Sequence, residues 1–121
     1  VSGDGGAWLL PRTVGLPRAM EMALTGRLID AALAESWGLV THVAPESELM
    51  ARALELAESI VAFPPKSIRL NKRLMKRSVE MSLRDALDLA ASYQAIVQST
   101  DDQREALAAL IEKRRPRFTG Q

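Results

Sequence analysis

Apolar positions recur every three to four residues along most of this 121-residue chain, which is the period of an amphipathic helix. Turn and capping residues divide the pattern into seven segments. The predicted helices cover approximately residues 7–12, 16–25, 31–36, 46–62, 66–77, 82–98 and 101–114. The same spacing predicts that the longer helices bury one apolar face. The residues of these faces are Leu49, Ala53, Leu56, Ala57 and Ile60, then Leu83, Ala86, Leu87, Ala90, Tyr93 and Val97, and finally Leu107, Leu110 and Ile111.

Short polar residues and glycines mark the ends of these segments. Pro17 fits the first turn of a helix, where its missing N–H costs nothing, and Gly26 is suited to ending that helix. Asp30 is a good N-cap, and Ser82 and Thr100 each stand three residues before a polar residue, which resembles a capping box. The helix boundaries are therefore specified locally by the sequence.

One segment, residues 39–43, has the β-branched composition of a strand and is followed by Pro45. Its His42 has no Cys, His or paired carboxylate at ligand spacing, so we expect a structural role and no metal site. The prediction is a mainly α chain with one short β-strand. Pro64 and Pro65 break the helical pattern, and they divide the chain into parts at 1–63 and 64–121.

Composition agrees with a helical chain and excludes several classes of protein. Only five residues are aromatic, so the apolar volume must come from Ala, Leu, Ile, Val and Met, most of which favour helices. No cysteine is present, which excludes disulfides and thiolate chemistry. No apolar run is long enough to cross a bilayer. We therefore expect a soluble, cytoplasmic protein of at most one domain.

The net charge of +1 hides an uneven distribution. Residues 1–63 carry −4 and residues 79–112 carry −5, whereas 64–78 carry +6 and 113–121 carry +4. Two basic segments therefore lie in an acidic chain, which suits contact with a few phosphates or acidic neighbours. Segment 64–78 has no interleaved aromatic residue, so a solvated face or a subunit contact is favoured over nucleic-acid binding.

The first six residues form a glycine-rich turn that carries one acid, with Gly3, Asp4, Gly5 and Gly6 leading into the first predicted helix. Glycine lets backbone approach a ligand closely, and a helix N-terminus offers unpaired N–H groups. Asp4 is either a helix cap or a proton-transfer group, the latter if partial burial raises its pKa toward neutrality. Nothing precedes this turn to complete a pocket, so we expect the chain to be the later part of a longer protein.

Several separated motifs, taken in order, resemble the C-terminal half of the enoyl-CoA hydratase/isomerase, or crotonase, superfamily. They are the glycine turn with WLLPR at 8–12, AMEM at 19–22 with LTG at 24–26, the stretch 31–44 containing WGLV, Pro65, Ala90, and EKRRPRF at 112–118. The resemblance implies the last turn of a ββα spiral followed by helices that assemble trimers or dimers of trimers. It also implies an oxyanion hole of two backbone N–H groups that holds an acyl-CoA thioester, although those donors and the usual glutamates would lie upstream of residue 1.

The resemblance also assigns roles to residues of this chain. It implies that Gly3, Gly5, Gly6 and Trp8 contact the substrate, with Asp4 as the catalytic-type group. Trp8 is otherwise a core residue. The resemblance further implies that Lys113 contacts the phosphates or adenine end of coenzyme A, with Leu110 where relatives often have a phenylalanine. The alternative for Lys113 is a cation that complements its own helix C-terminus.

The expected activity is hydration of a 2-enoyl-CoA, with no cofactor apart from the coenzyme A of the substrate. Isomerisation or thioester hydrolysis on the same scaffold is the first alternative. A non-catalytic helical assembly module is the second, because several apolar helix faces would need a partner. The expected partners are an acyl-CoA and further copies of the chain in a homotrimer or hexamer, and neither nucleic acid nor a membrane.

Overall fold

The computed structural model describes residues 4–121, and these residues form seven α-helices and no β-strand. The predicted contact of Gly3 with substrate lies outside the described residues. The helices are α1 (Gly6–Val14), α2 (Leu16–Thr25), α3 (Ala31–Ser36), α4 (Glu46–Val61), α5 (Pro65–Ser78), α6 (Leu83–Gln98) and α7 (Asp101–Ile111). The prediction of a mainly α chain is therefore confirmed, and only the end of α7 departs from its prediction by as much as three residues.

Capping explains why the boundaries could be predicted. The Asp30 carboxylate accepts a hydrogen bond from the Leu33 N–H at 2.8 Å, and the hydroxyl groups of Ser82 and Thr100 accept from the N–H three residues on. Gly26 has φ of 65°, the left-handed conformation that ends α2. Each of these contacts satisfies a backbone group that the helix itself leaves without a partner.

The predicted strand at residues 39–43 is wrong. The N–H groups of Leu39 and Val40 donate to the carbonyl oxygen of Ala34, and the N–H of Val43 donates to the Glu35 carboxylate at 3.2 Å. A strand needs a neighbouring strand for its backbone groups, and residues 4–121 supply none. The end of α3 satisfies these groups instead, so the segment follows an irregular path.

The predicted apolar faces are only partly buried. Helix α4 has no buried residue, and Leu83 and Leu87 of α6 are exposed, whereas Ala86, Ala90, Tyr93 and Val97 are half-buried. On α7 the prediction is wrong for Leu107, Leu110 and Ile111, which are exposed, because this helix buries Asp102 and Ala109 instead. The buried apolar residues are small, namely Val14, Ala19, Ala34 and Ala109.

The chain divides into two compact units, Val1–Met50 and Ala51–Gln121. In the first unit α1 packs on α2, and in the second α6 packs on both α5 and α7. The division of the sequence at Pro64 and Pro65 stays a prediction. Among the described residues, no helix combines the length and the apolar character needed to cross a membrane.

Candidate functional site

The glycine turn is a sharp, left-handed entry into α1. Gly5 has φ of 96°, a conformation that side chains other than glycine rarely adopt, and its carbonyl oxygen accepts from the N–H groups of Trp8 and Leu9 at 3.0 and 2.9 Å. Gly6 is the first residue of the helix. The turn therefore places backbone of Gly5 and Gly6 at the N-terminus of α1, where a helix favours negative charge.

Asp4 is exposed and takes part in this turn. Its Oδ1 accepts from the Gly6 N–H at 3.2 Å, a local contact across two residues, while the N-cap position itself is occupied by Gly5. The carboxylate thus supports the start of α1 in a way similar to the predicted cap. This contact uses one oxygen, and the carboxylate remains accessible in the described chain.

Trp8 is held by Arg12 one turn later on the same helix. The Arg12 guanidinium carbon lies 3.9 Å from the centroid of the Trp8 ring, and Nη1 donates to the Trp8 carbonyl oxygen at 3.0 Å. Trp8 is 47% exposed, so it is not a core residue of the first unit. A large ring in a cation–π stack on an exposed face offers a fixed apolar surface beside the glycine turn.

The second candidate region is the C-terminal end of α7. The Lys113 N–H donates to the Leu110 carbonyl oxygen at 3.3 Å, and the Arg114 N–H donates to that of Ala109 at 3.0 Å, with Glu112 as the C-cap. These two bonds define a Schellman motif with Lys113 at C′. Lys113 has φ of 53° and is the one non-glycine residue with positive φ among residues 4–121.

The structure therefore brings the two predicted coenzyme A contacts, Lys113 and Leu110, to the same helix end. Both side chains are exposed, and Leu110 is 75% accessible. A left-handed residue other than glycine costs about 1–2 kcal/mol. Lys113 occupies a position where glycine is the usual residue, so other contacts must hold this turn.

Glu105 supplies such contacts. Its Oε1 and Oε2 accept from the two terminal guanidinium nitrogens of Arg114 at 2.5 and 2.8 Å, and Oε1 also accepts from the Arg117 N–H at 2.7 Å. The hydrogen bonds from Arg114 and Arg117 lower the pKa of Glu105 from 4.5 to about 2. The pKa of Arg114 is raised by its hydrogen bonds to Glu105 and Glu112. Arg114 therefore remains a cation bound to two carboxylates.

Asp102 fixes the last residues of the chain in the same way. It is 1% exposed, its Oδ1 accepts from the Thr119 N–H at 2.7 Å, and its Oδ2 accepts from the Gly120 N–H at 2.8 Å. A buried carboxylate needs such partners, since an unpaired one would lose its hydration without compensation. Two acids of α7 thus hold the segment that follows it.

The roles of Glu105 and Asp102 were not predicted from the sequence. Their partners lie 9 to 18 residues away, beyond the spacing that reveals a helical pair or a cap. Asp102 lies in the first turn of α7, where an acid also suits the helix dipole, and Glu105 lies in the second turn with no local sign of its partners. The available signal was the concentration of basic residues at 113–117 after an acidic helix.

Helix α5 carries the other basic segment. Arg69, Lys72, Arg73, Lys76 and Arg77 are exposed, whereas Ile68, Leu70 and Leu74 are half-buried on the opposite side. This is the pattern of a surface helix with a solvated cationic face. His42 is exposed, and among residues 4–121 no group of three side chains is arranged to hold a metal ion.

These features form two candidate sites. The glycine turn with Asp4 and Trp8 belongs to the first compact unit, and the end of α7 with Leu110 and Lys113 belongs to the second. The first offers backbone N–H groups, a carboxylate and an aromatic surface. The second offers an exposed lysine, and Arg115 beside it has no acidic partner among the described residues.

Comparison with known proteins shows which family the whole chain resembles. The family model described as enoyl-CoA hydratase/isomerase matches residues 1–121. The chain is 36% identical over 116 residues to the 1,2-epoxyphenylacetyl-CoA isomerase of Escherichia coli, with 96% of this chain and 44% of that protein covered. It is 37% identical over 121 residues to an enoyl-CoA isomerase/hydratase of Mycosarcoma maydis, covering 99% of this chain and 44% of the relative.

The fold is also similar to that of solved crystal structures. The crystal structure of an enoyl-CoA hydratase from Bacillus anthracis superposes with a TM-score of 0.95 at 36% identity, covering 100% of this chain and 47% of that one. The chain belongs to the enoyl-CoA hydratase/isomerase family. It spans about half the length of the relatives that it matches, and the resemblance stated from the sequence is confirmed.

Proposed function

We propose that the protein acts on an acyl-CoA thioester, that its reaction is hydration of a 2-enoyl-CoA, and that this chain supplies part of the active site. The observation that carries the proposal is the exposed Lys113 at the C-terminal end of α7, in a chain that belongs to the enoyl-CoA hydratase/isomerase family. An ammonium group on a long side chain suits the phosphates of coenzyme A. Leu110 beside it offers an apolar contact to the nucleotide.

The glycine turn supports the part of the proposal that concerns the acyl group of the substrate. Gly5 and Gly6 allow close approach of a ligand to the N-terminus of α1, and Trp8, fixed by Arg12, offers an apolar surface for an acyl group. Asp4 is exposed among the described residues, so the partial burial that proton transfer requires has to come from the rest of the full-length protein or from the bound substrate. On that condition we assign Asp4 the transfer of a proton at the acyl chain.

Isomerisation of an enoyl-CoA is the second candidate reaction. It is favoured by two relatives, the isomerase of Escherichia coli and the isomerase/hydratase of Mycosarcoma maydis, which share 36% and 37% identity with this chain. Both reactions need a stabilised thioester enolate and differ in where a proton or water is delivered. Asp4 fits either, so the two are separated by product analysis with 2-enoyl and 3-enoyl substrates.

A non-catalytic assembly module is the second class of function. The exposed apolar residues of α4, with Leu49, Leu56 and Ile60 accessible, favour it, because such faces mark contact surfaces. A homotrimer or hexamer of the family type would cover surfaces of this kind. The module predicts no turnover of any CoA thioester, whereas the enzyme hypothesis predicts both assembly and turnover.

Coenzyme A binding tests the substrate class directly. In the full-length protein we expect Lys113→Met to weaken the affinity for coenzyme A about 10- to 100-fold in isothermal titration calorimetry, the loss of one charge-assisted hydrogen bond. Lys72→Met, which removes an exposed cation from α5, is the matched control and should bind as the wild type does. Equal affinity of Lys113→Met and wild-type protein would contradict the proposed contact.

A further inference from the structure

The segment after α7 is fastened to that helix on the C-terminal side of Lys113. Arg114, the next residue, forms a two-pronged ion pair with Glu105, and the backbone N–H of Arg117 binds the same carboxylate. Glu105 is about three-quarters buried, with 24% of its side chain accessible. One carboxylate on α7 therefore holds two points of the chain that follows Lys113.

On its other side, Lys113 is joined to the end of α7 by the Schellman motif. Its own N–H and that of Arg114 bind the last carbonyl groups of the helix, and its φ of 53° completes the turn. Because lysine has no intrinsic preference for this conformation, the turn depends on the contacts around it. Those contacts are the helix end before Lys113 and, after it, the carboxylates of Glu105 and Glu112 on Arg114, of which only Glu105 also binds the Arg117 N–H.

We propose that Glu105 is a positioning residue, which keeps Lys113 in the left-handed conformation by holding Arg114 and Arg117 and so fixes the origin of the lysine side chain for phosphate binding. This inference rests on the proposed function, since it takes Lys113 as the phosphate contact. A lysine whose backbone is already fixed loses less conformational entropy when it binds. Glu105 thereby improves binding of an anion without touching it.

The direction in which neutralising Glu105 changes the affinity for a polyanion distinguishes a positioning role from a purely electrostatic one. Glu105 is itself an anion near the proposed phosphate contact, so neutralising it should strengthen binding of a polyanion if charge alone mattered. Positioning predicts the opposite, because loss of the Arg114 and Arg117 contacts frees the turn. A variant that weakens binding while removing a repulsive charge cannot be explained by charge.

The test compares two substrates in the full-length protein. Glu105→Gln is expected to raise KM for an acyl-CoA about tenfold, equivalent to about 1.4 kcal/mol, with kcat unchanged within about twofold. The same acyl group on pantetheine, which lacks the nucleotide phosphates, should show no change in KM. Glu112→Gln is the matched control. The Glu112 carboxylate also binds Arg114, with Oε2 at 2.5 Å from the Arg114 Nε, but it does not bind Arg117. Its KM should remain within about twofold of the wild type.

Arg114→Lys provides a second variant if Glu105→Gln folds poorly, because lysine keeps the charge but cannot form the two-pronged pair. It should shift KM for the acyl-CoA in the same direction. An unchanged or lowered KM for acyl-CoA in both variants, or an equal rise for the pantetheine thioester, would overturn the positioning role.

The background variant Lys113→Met separates this inference from the function on which it rests. In that background Glu105→Gln should raise KM no further, since the residue that it positions is gone. If Lys113→Met raises KM and Glu105→Gln does not, only the positioning role is overturned. If Lys113→Met leaves KM unchanged, the phosphate contact and the inference both fail.

Discussion

At the scale of single residues, Asp4 contacts the backbone of the glycine turn and is also the carboxylate that we propose for proton transfer. Its Oδ1 accepts from the Gly6 N–H at 3.2 Å, and the group is exposed beside the glycine turn. An asparagine at this position keeps the accepting oxygen but cannot carry a proton. Replacement of Asp4 therefore separates the two roles cleanly.

We expect Asp4→Asn to lower kcat for an enoyl-CoA about 100-fold, the usual contribution of a general acid or base, and to leave the melting temperature unchanged. Asp4→Ala is the control that loses both functions, and it should also unfold at a lower temperature. Steady-state kinetics and thermal unfolding of the full-length variants measure the two effects. Full activity of Asp4→Asn would assign the residue to the turn alone.

Residue roles were predicted where they depend on local sequence. The cap formed by Asp30 and the glycine C-cap at Gly26 follow from spacing within one turn of a helix, and the structure confirms both. The contacts of Glu105 and Asp102 were not predicted, because their partners at 114–120 come close to them only when the chain folds back after α7. Long-range pairs of this kind leave no periodic signal in a single sequence.

At the scale of elements, α7 and the segment after it form one interlocked structure. Thr100 caps the helix start, the Schellman motif closes its end, and the carboxylates of Asp102 and Glu105 bind residues up to Gly120. The predicted helix extended to Arg114, but it ends at Ile111. The Schellman motif satisfies the carbonyl groups of Ala109 and Leu110 at this end, and the N–H groups of Arg117, Thr119 and Gly120 bind the carboxylates of Glu105 and Asp102 in place of helical carbonyl groups.

The ion pair of Glu105 makes this element sensitive to acid. The pKa of Glu105 is about 2 in the folded protein against 4.5 without its partners, so the carboxylate favours the folded state above pH 4.5. That contribution is lost as the pH falls from about 4.5 to about 2. The wild type should therefore melt above Glu105→Gln at pH 6, with the difference disappearing near pH 2.

Thermal unfolding from pH 6 to pH 2 checks this expectation. Glu58→Gln is a suitable control, since Glu58 lies exposed on α4, and its difference from the wild type should not change with pH in this way. A difference between wild type and Glu105→Gln that stays constant over the whole range would contradict the assigned ion pair.

At the scale of the whole molecule, the helical class and most helix boundaries could be predicted, whereas burial could not. The periodic pattern identifies an apolar face but not its partner, and Leu83, Leu107 and Ile111 lie exposed on faces predicted to be inward. The prediction of a strand at 39–43 was wrong for a related reason, because a strand needs a neighbouring strand to pair with and β-branched composition alone does not supply one. The family followed from motif order, which neither burial nor strand pairing affects.

The central claim is that the protein hydrates an enoyl-CoA, and turnover of crotonyl-CoA by the full-length protein tests it most directly. The measurement is the fall in ultraviolet absorbance as water adds across the conjugated double bond. We predict a rapid fall proportional to enzyme concentration, with 3-hydroxybutyryl-CoA as the product. No fall above the uncatalysed rate, with protein that is folded and binds coenzyme A, would contradict the proposed reaction.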